Sequence, residues 1–249
     1  MTPLNVLYLV RTWAFGGSHT IVLLLMEHLP KERFNIICVP YDTHSGGDET
    51  FINAAEKRGL SVAPERIPWK SRSAFFKARD TIAELVKKYD IDLIHTHDPH
   101  SNVIAGLGRK RWPCACVASP YGWWNRVFPL RSHVYYHLER SVALRNFERV
   151  VTVSQTMKKK ILGGGTAEDR VRVIHTGLDL RHLENGASRD ATREQLGIPA
   201  DAVVVGTVSR LYVEKGHSYL LKAAARLVPD FPKLHLLIVG SGPMKAELE

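Results

Sequence analysis

Val205–Gly216 reads VGTVSRLYVEKG. Val203, Val204, Val205 and Val208 bracket Gly206, and this β-branched run predicts a buried strand. Arg210 stands at the strand's end, Lys215 and Gly216 follow, and a helix opens at His217. Two cations at the carboxyl end of a strand, just ahead of a helix N-terminus, suit a diphosphate. The first-turn amides are free to donate, and the cations compensate charge. Arg and Lys in such a loop are equally at home as solvated surface residues, so on this stretch alone both readings stand.

The surrounding chain sets limits. Its 249 residues suffice for one large α/β domain, or one domain and part of another. Apolar residues make up 45% and charged residues 24%, the balance of a globular protein. No apolar run approaches the roughly 20 residues of a membrane span. Met1 leads directly into a strand without a basic n-region, so no signal peptide is expected. Cys38, Cys114 and Cys116 all lie in strand-like runs and read as small core residues in a reducing compartment. They form neither a disulfide framework nor a zinc pattern. The formal charge of +9 favours anionic partners such as nucleotide phosphates, nucleic acid or an anionic membrane face. No paired Cys/His finger or aromatic RNA-binding strand is present, so nucleic acid is not an expected partner.

Working back to the N-terminus, Leu4–Val10 is a short apolar run that reads as a buried strand. After Gly16-Gly17-Ser18, apolar residues at Ile21, Val22, Leu24, Leu25 and Leu29 recur at helical spacing. Two glycines allow close backbone approach to a ligand at a helix start, or simply make a tight turn. Phe34–Pro40 is a second strand and Leu60–Ile67 a weaker third. Phe75, Ala78, Ile82, Leu85 and Val86 mark a helix from about Ser71 to Tyr89. The next strand ends in DIDLIHTHD, Asp90–Asp98. His95 and His97 are two apart and therefore point to one face of an extended strand. They read as hydrogen-bonded core histidines, as polar site residues, or, with Asp98 or His100, as metal ligands. Cys114–Ser119 is a strand whose exit loop carries Tyr121, Trp123, Trp124 and Arg126. That loop is either packed down or an aromatic rim for a carbohydrate or lipid acceptor. Strands at Arg149–Val153 and Val171–His175 follow, with Ser154 predicted to N-cap the helix between them.

The alternation of strand and helix, restarted after residue 200, predicts two Rossmann-like, doubly wound parallel-sheet domains. The expected boundaries are residues 1–185 for the first domain and 186–200 for a link. Residues 201–249 would be the opening βαβα of a second domain. Two strands and one full helix cannot cover both faces of a parallel sheet, so this second domain is expected to be truncated or completed elsewhere.

Several motifs occur in a fixed order: the Gly16-Gly17 loop, DLIHTHD ending at Asp98, VTVSQTMKKKIL from Val151, VIHTGLD from Val173, GTVSRLYVEKG and LLIVGSGPMKAEL. The set resembles the retaining glycosyltransferases of the GT-B fold, family 4 (group 1), from Leu4 to Glu249. R-L-x-x-E-K-G and V-G-x-G-P are its most specific pieces. The resemblance implies that Arg210 and Lys215 hold the diphosphate of a nucleotide-sugar donor and stabilise it as it leaves. They would take the place of a metal, and no cofactor is implied. Gly16 and Gly17 would approach the donor phosphates or the acceptor. His97 would lie near the sugar and the reacting hydroxyl, and Gly240 and Gly242 would turn the chain at the nucleotide. The implied acceptor is a saccharide or a lipid-linked sugar, with Tyr121, Trp123, Trp124 and Arg126 on its side. The setting would be cell-envelope polysaccharide or glycolipid synthesis, in the cytoplasm or at the inner face of an anionic membrane. Three departures stand out. Tyr121-Gly122 occupies the place of a family H-G, Thr176 replaces an Asn, and the E-x7-E segment that contacts the donor sugar is not reached before Glu249. Two alternatives are an inactive binding fragment and a GT-B-like sugar-nucleotide epimerase, for which Asp98 is the candidate carboxylate.

Overall fold

The structure, a computed structural model, describes residues 2–12, 15–41, 47–67, 74–122, 130–180 and 186–249. The chain folds as two compact units, Met1–Leu178 and Asp179–Glu249.

The first unit is built on a six-stranded sheet: β1 (Leu4–Arg11), β2 (Phe34–Tyr41), β3 (Leu93–Thr96), β4 (Ala115–Ala118), β5 (Arg149–Thr152) and β6 (Val171–Val173). All neighbours are parallel, in the order β2-β1-β3-β4-β5-β6. The helices are α1 (Gly17–His28), α2 (Gly47–Glu56), α3 (Ala74–Lys88), α4 (Pro99–Gly108), α5 (Leu130–Leu138) and α6 (Gln155–Leu162). β1 is apolar and buried from Val6 to Val10 because both of its faces are covered. Leu7 and Leu9 join Ile82, Leu85, Ile104 and Ile161 in one core, whereas Val6, Tyr8 and Val10 join Val22, Leu23, Met26 and Phe51 in the other. The period-2 alternation of one strand thus feeds two layers of helices. The predicted stripe on α3 is buried at Ala78, Ile82, Leu85 and Val86. Ser154 caps α6 as expected, accepting the Met157 amide at 3.2 Å, and all three cysteines are buried free thiols.

Two expectations need correction. Leu60–Ile67 is not a strand; only the Ala63 amide reaches β2, at the Cys38 carbonyl. Pro64 has no amide to continue that ladder, so β2 remains the edge. Ser132–Asn146 reads in the sequence as one continuous helix, but in the structure it is α helix only to Leu138. It continues as a π turn over Glu139–Ala143 and a 3₁₀ turn to Asn146.

The second unit opens with α7 (Arg189–Gln195), capped by Ser188, and then runs β7 (Val203–Val208), α8 (His217–Leu227), β8 (Leu234–Val239) and α9 (Lys245–Leu248). β7 and β8 pair in parallel, from Val203 opposite Leu234 to Val208 opposite Val239. The βαβα order matches the sequence reading, but the burial expected of β7 does not. Val205 is 41% and Val208 82% exposed. β7 has β8 as its only strand neighbour among the described residues, so its apolar side chains lack the second layer that a parallel strand normally has.

Candidate active site

In the first unit the chain passes from β1 to β2 on one side and returns to β3 on the other side of β1. The carboxyl ends of β1 and β3 therefore form a topological switch point, where open parallel sheets bind ligands. Gly16-Gly17 follows β1 and His97-Asp98 follows β3, so the fold brings these sequence-separated motifs to one edge of the sheet.

Gly16 stands before α1 in extended backbone, with φ −165°. A Cβ added at Gly16 or Gly17 would meet nothing within 4 Å. Neither backbone angles nor packing among the described residues call for glycine at Gly16. The amides of Gly17 and Ser18 have no acceptor among the described residues, as befits first-turn amides. His19, not singled out in the sequence, organises this turn. Its Nδ1 accepts the Gly16 amide at 3.1 Å and its Nε2 donates to the Arg11 carbonyl at 2.6 Å. Those two bonds require the neutral ring protonated at Nε2. Burial lowers the His19 pKa, which keeps it neutral.

At β3, the register sets Tyr8 beside His95 and His95 beside Val117. His95 and His97 do share a face, with ring centroids 4.1 Å apart. The Tyr8 ring packs against both, at 5.1 and 4.7 Å. His95 Nε2 pairs with Ser119 Oγ at 2.8 Å, and His97 Nδ1 with the Tyr121 hydroxyl at 2.9 Å. Burial pushes His95 down to about 4. His97 is 3% exposed, and burial, with His95 alongside, holds its pKa well below the usual imidazole value. His97 Nε2 is buried with no hydrogen-bond partner among the described residues. A buried polar atom without a partner is rare in a folded chain and marks a place where a ligand group fits.

Asp98 is fully engaged. It caps α4, accepting the amides of His100 at 2.9 Å and Ser101 at 3.1 Å, the Ser101 hydroxyl at 2.7 Å, and the Tyr41 hydroxyl. Pro99 sits at the first helical position, where its missing amide costs nothing. The neighbouring His100 pairs through Nδ1 with Arg11 at 3.0 Å and is pushed down to about 4, first by burial and then by Arg11. A carboxylate so occupied is a helix cap, not a base for proton abstraction. Beneath this edge, Thr96 donates to Asn102 Oδ1 and Asn102 to Glu139 of the π turn, both at 2.5 Å, anchoring α4. Trp123, Trp124 and Arg126 lie outside the described residues, and Tyr121 alone of that set is placed.

In the second unit Arg210 and Lys215 both lie between β7 and α8. Arg210 is partly exposed, stacks over Tyr212 at 4.8 Å and lies 3.6 Å from Glu214. Lys215 is exposed at the end of a 3₁₀ turn, Val213–Lys215, and its ammonium has no partner among the described residues. Gly216 takes the left-handed conformation, φ 71°, that turns the chain into α8. Buried His217 holds that start, with Nε2 2.9 Å from Ser209 Oγ. Gly240 and Gly242 belong to the same edge, in the exit of β8. A Cβ on Gly240 would stand 1.9 Å from the Ser209 carbonyl oxygen, and one on Gly242 2.4 Å from that of Leu211. Leu211 N donates to Ser241 at 2.8 Å, and Met244 N returns to Leu211 at 3.1 Å. The two glycines thus lock the β8 exit against the β7 exit that carries Arg210.

These features coincide with a family assignment. The Glycosyltransferase Family 4 model matches residues 15–182, and the Glycosyl transferases group 1 model matches residues 188–249. The chain belongs to the family 4, group 1 glycosyltransferases.

Among individual relatives, EpsF of Bacillus subtilis is 28% identical over 250 residues, 98% of this chain and 64% of EpsF. The D-inositol 3-phosphate glycosyltransferase of Saccharomonospora viridis is 41% identical over 171 residues, 64% of this chain and 39% of that protein. Anabaena Alr3699/HepE, solved in complex with UDP, superimposes with a TM-score of 0.76 at 18% identity, over 98% of this chain and 63% of that one. A glycosyltransferase structure from Rickettsia africae gives 0.75 at 20% identity, over 100% and 63%. The fold is therefore the GT-B α/β architecture, represented by a six-stranded parallel sheet and a short second one. The chain spans under two thirds of the length of these relatives.

Proposed function

We propose that this chain contributes the acceptor-side unit and the opening of the donor-side unit of a retaining glycosyltransferase. The reaction moves a sugar from a nucleoside-diphosphate donor to a hydroxyl of a saccharide or lipid-linked acceptor. The supporting observation is Lys215: an exposed ammonium without an anionic partner among the described residues, placed with Arg210 at the carboxyl end of β7 and ahead of the α8 amides. The leaving nucleoside diphosphate gains charge as the glycosidic bond breaks. Preorganised cations at that point favour the transition state over the ground state. Two side-chain cations supply this compensation, so no metal is required by the scheme. Donor binding by HepE, whose structures include UDP and UDP-glucose complexes, makes UDP the first probe. His97 offers its unpartnered Nε2 to the sugar or the acceptor hydroxyl.

Titration calorimetry with UDP, GDP and ADP tests the clamp on this chain. Micromolar binding of one nucleotide, lost in Lys215→Ala, is expected. Failure of all three to bind sinks the diphosphate clamp. Transfer from the matching nucleotide sugar, followed in the longer protein, then tests the chemistry. The epimerase reading is disfavoured because Asp98, its candidate carboxylate, is consumed as the α4 cap.

A further inference from the structure

Each histidine on the β3 edge meets one hydroxyl of the β4 exit: His95 Nε2 pairs with Ser119 Oγ at 2.8 Å, and His97 Nδ1 pairs with the Tyr121 phenol at 2.9 Å. Tyr121 and His97 also lie nearly parallel, 11° apart, with centroids at 6.1 Å. Ser119 is fixed in turn by its amide on the Thr96 carbonyl at 2.8 Å. The other ring nitrogen of His97, Nε2, is buried with no partner among the described residues.

The Tyr121 phenol can donate to His97 Nδ1, leaving the ring proton on Nε2, or accept from Nδ1–H, leaving a lone pair on Nε2. A phenol is a better donor than an alkyl hydroxyl, and an imidazole nitrogen a better acceptor than a phenol oxygen. The first arrangement pairs the better donor with the better acceptor.

We propose that Tyr121 is a positioning residue that sets the tautomer of His97. Its phenol donates to Nδ1, so the ring presents Nε2–H as a donor to an oxygen of the bound sugar or acceptor. This inference rests on the sugar-transfer reading for its ligand, but the tautomer itself is independent of any turnover. It gives Tyr121 a role other than acceptor contact.

The test is ¹⁵N–¹H correlation of the histidine rings in the uniformly labelled full chain, with His97 assigned by its loss in His97→Gln. The expected pattern is a protonated Nε2 and a hydrogen-bonded, unprotonated Nδ1. Tyr121→Phe keeps the ring stack and removes the donor. Its Nδ1 resonance should move toward that of a free lone pair, and a fraction of the protonated-Nδ1 tautomer should appear. Ser119→Ala, which removes the partner of His95 and leaves the Tyr121–His97 bond in place, should shift the same resonance less. A wild-type His97 protonated at Nδ1 overturns the proposal whatever the variants do. So does a Tyr121→Phe spectrum identical to wild type. Loss of nucleotide binding in an otherwise expected spectrum would instead count against the sugar-transfer reading.

Discussion

The Tyr41 hydroxyl, at the end of β2, donates to the Asp98 carboxylate that caps α4. Tyr41 is fully buried, and Asp98 also takes two amides and the Ser101 hydroxyl. One carboxylate therefore ties together β2, the β3 exit and the first turn of α4. Asp98→Ala should lower unfolding free energy by about 2–4 kcal/mol, combining a lost helix cap with the loss of a buried phenol–carboxylate bond. Urea denaturation measures it. A stability within about 0.5 kcal/mol of wild type would contradict this role.

Lys215→Ala should behave in the opposite way. The side chain is exposed and makes no bond among the described residues, so stability should change by no more than about 0.5 kcal/mol. In the longer protein the transfer rate should fall by ~10²-fold or more, the scale of removing one preorganised donor from a developing charge. A large drop in melting temperature with intact specific activity would reassign Lys215 to the fold.

Gly17→Ala separates ligand space from fold. The residue begins α1, and an added Cβ meets nothing within 4 Å. Helix propensity predicts a gain of up to about 1 kcal/mol in stability. The methyl group would occupy the space left for a ligand, so substrate affinity should fall by ~10-fold, equivalent to about 1.4 kcal/mol. Unchanged KM values for both substrates would show that this space is not used.

Stability should also depend on pH through the buried imidazoles. His95 and His100 are held near about 4, and His97 well below its ordinary value of 6.5, all chiefly by burial. The groups facing them are Tyr8, Ser119 and Tyr121 for the β3 pair, and Arg11, Asp98 and Tyr135 for His100. In the unfolded chain these rings take up protons near pH 6.5, while the folded chain keeps them neutral. Their contribution is complete above that pH and is lost as pH falls toward about 4, at up to about 1.4 kcal/mol per unit for each ring. Urea midpoints from pH 7 to 4.5 should decline, and less steeply in His100→Asn. Equal slopes for the two proteins would contradict a neutral, buried His100.

Much of this was legible in the residues themselves. The stripe through Ala78, Ile82 and Leu85 specified α3, and the spacing of His95 and His97 placed both rings on one side of β3. Arg210 and Lys215 were found by their position between a valine strand and a helix start. What escaped was set by partners distant in sequence. Ser119 and Tyr121 reach the histidines only because β4 lies beside β3 in register. Asp98 looked available for chemistry because Tyr41, 57 residues away, does not announce itself as its donor. The π turn begins at Glu139, whose buried partner Asn102 lies 37 residues away in sequence. Leu60–Ile67 has strand-like residues, but Pro64 denies it a ladder.

Lys215, exposed and with no ionic partner among the described residues, makes the second unit sensitive to its medium. The pull on a diphosphate proposed for it would act through water, where 0.15 M salt screens charge within about 8 Å. The groups around His95 and His97, by contrast, are uncharged rings and hydroxyls, whose hydrogen bonds are indifferent to ionic strength. Raising salt should therefore weaken nucleotide binding while sparing recognition through His97, so the two halves of one reaction can be dissected with sodium chloride alone.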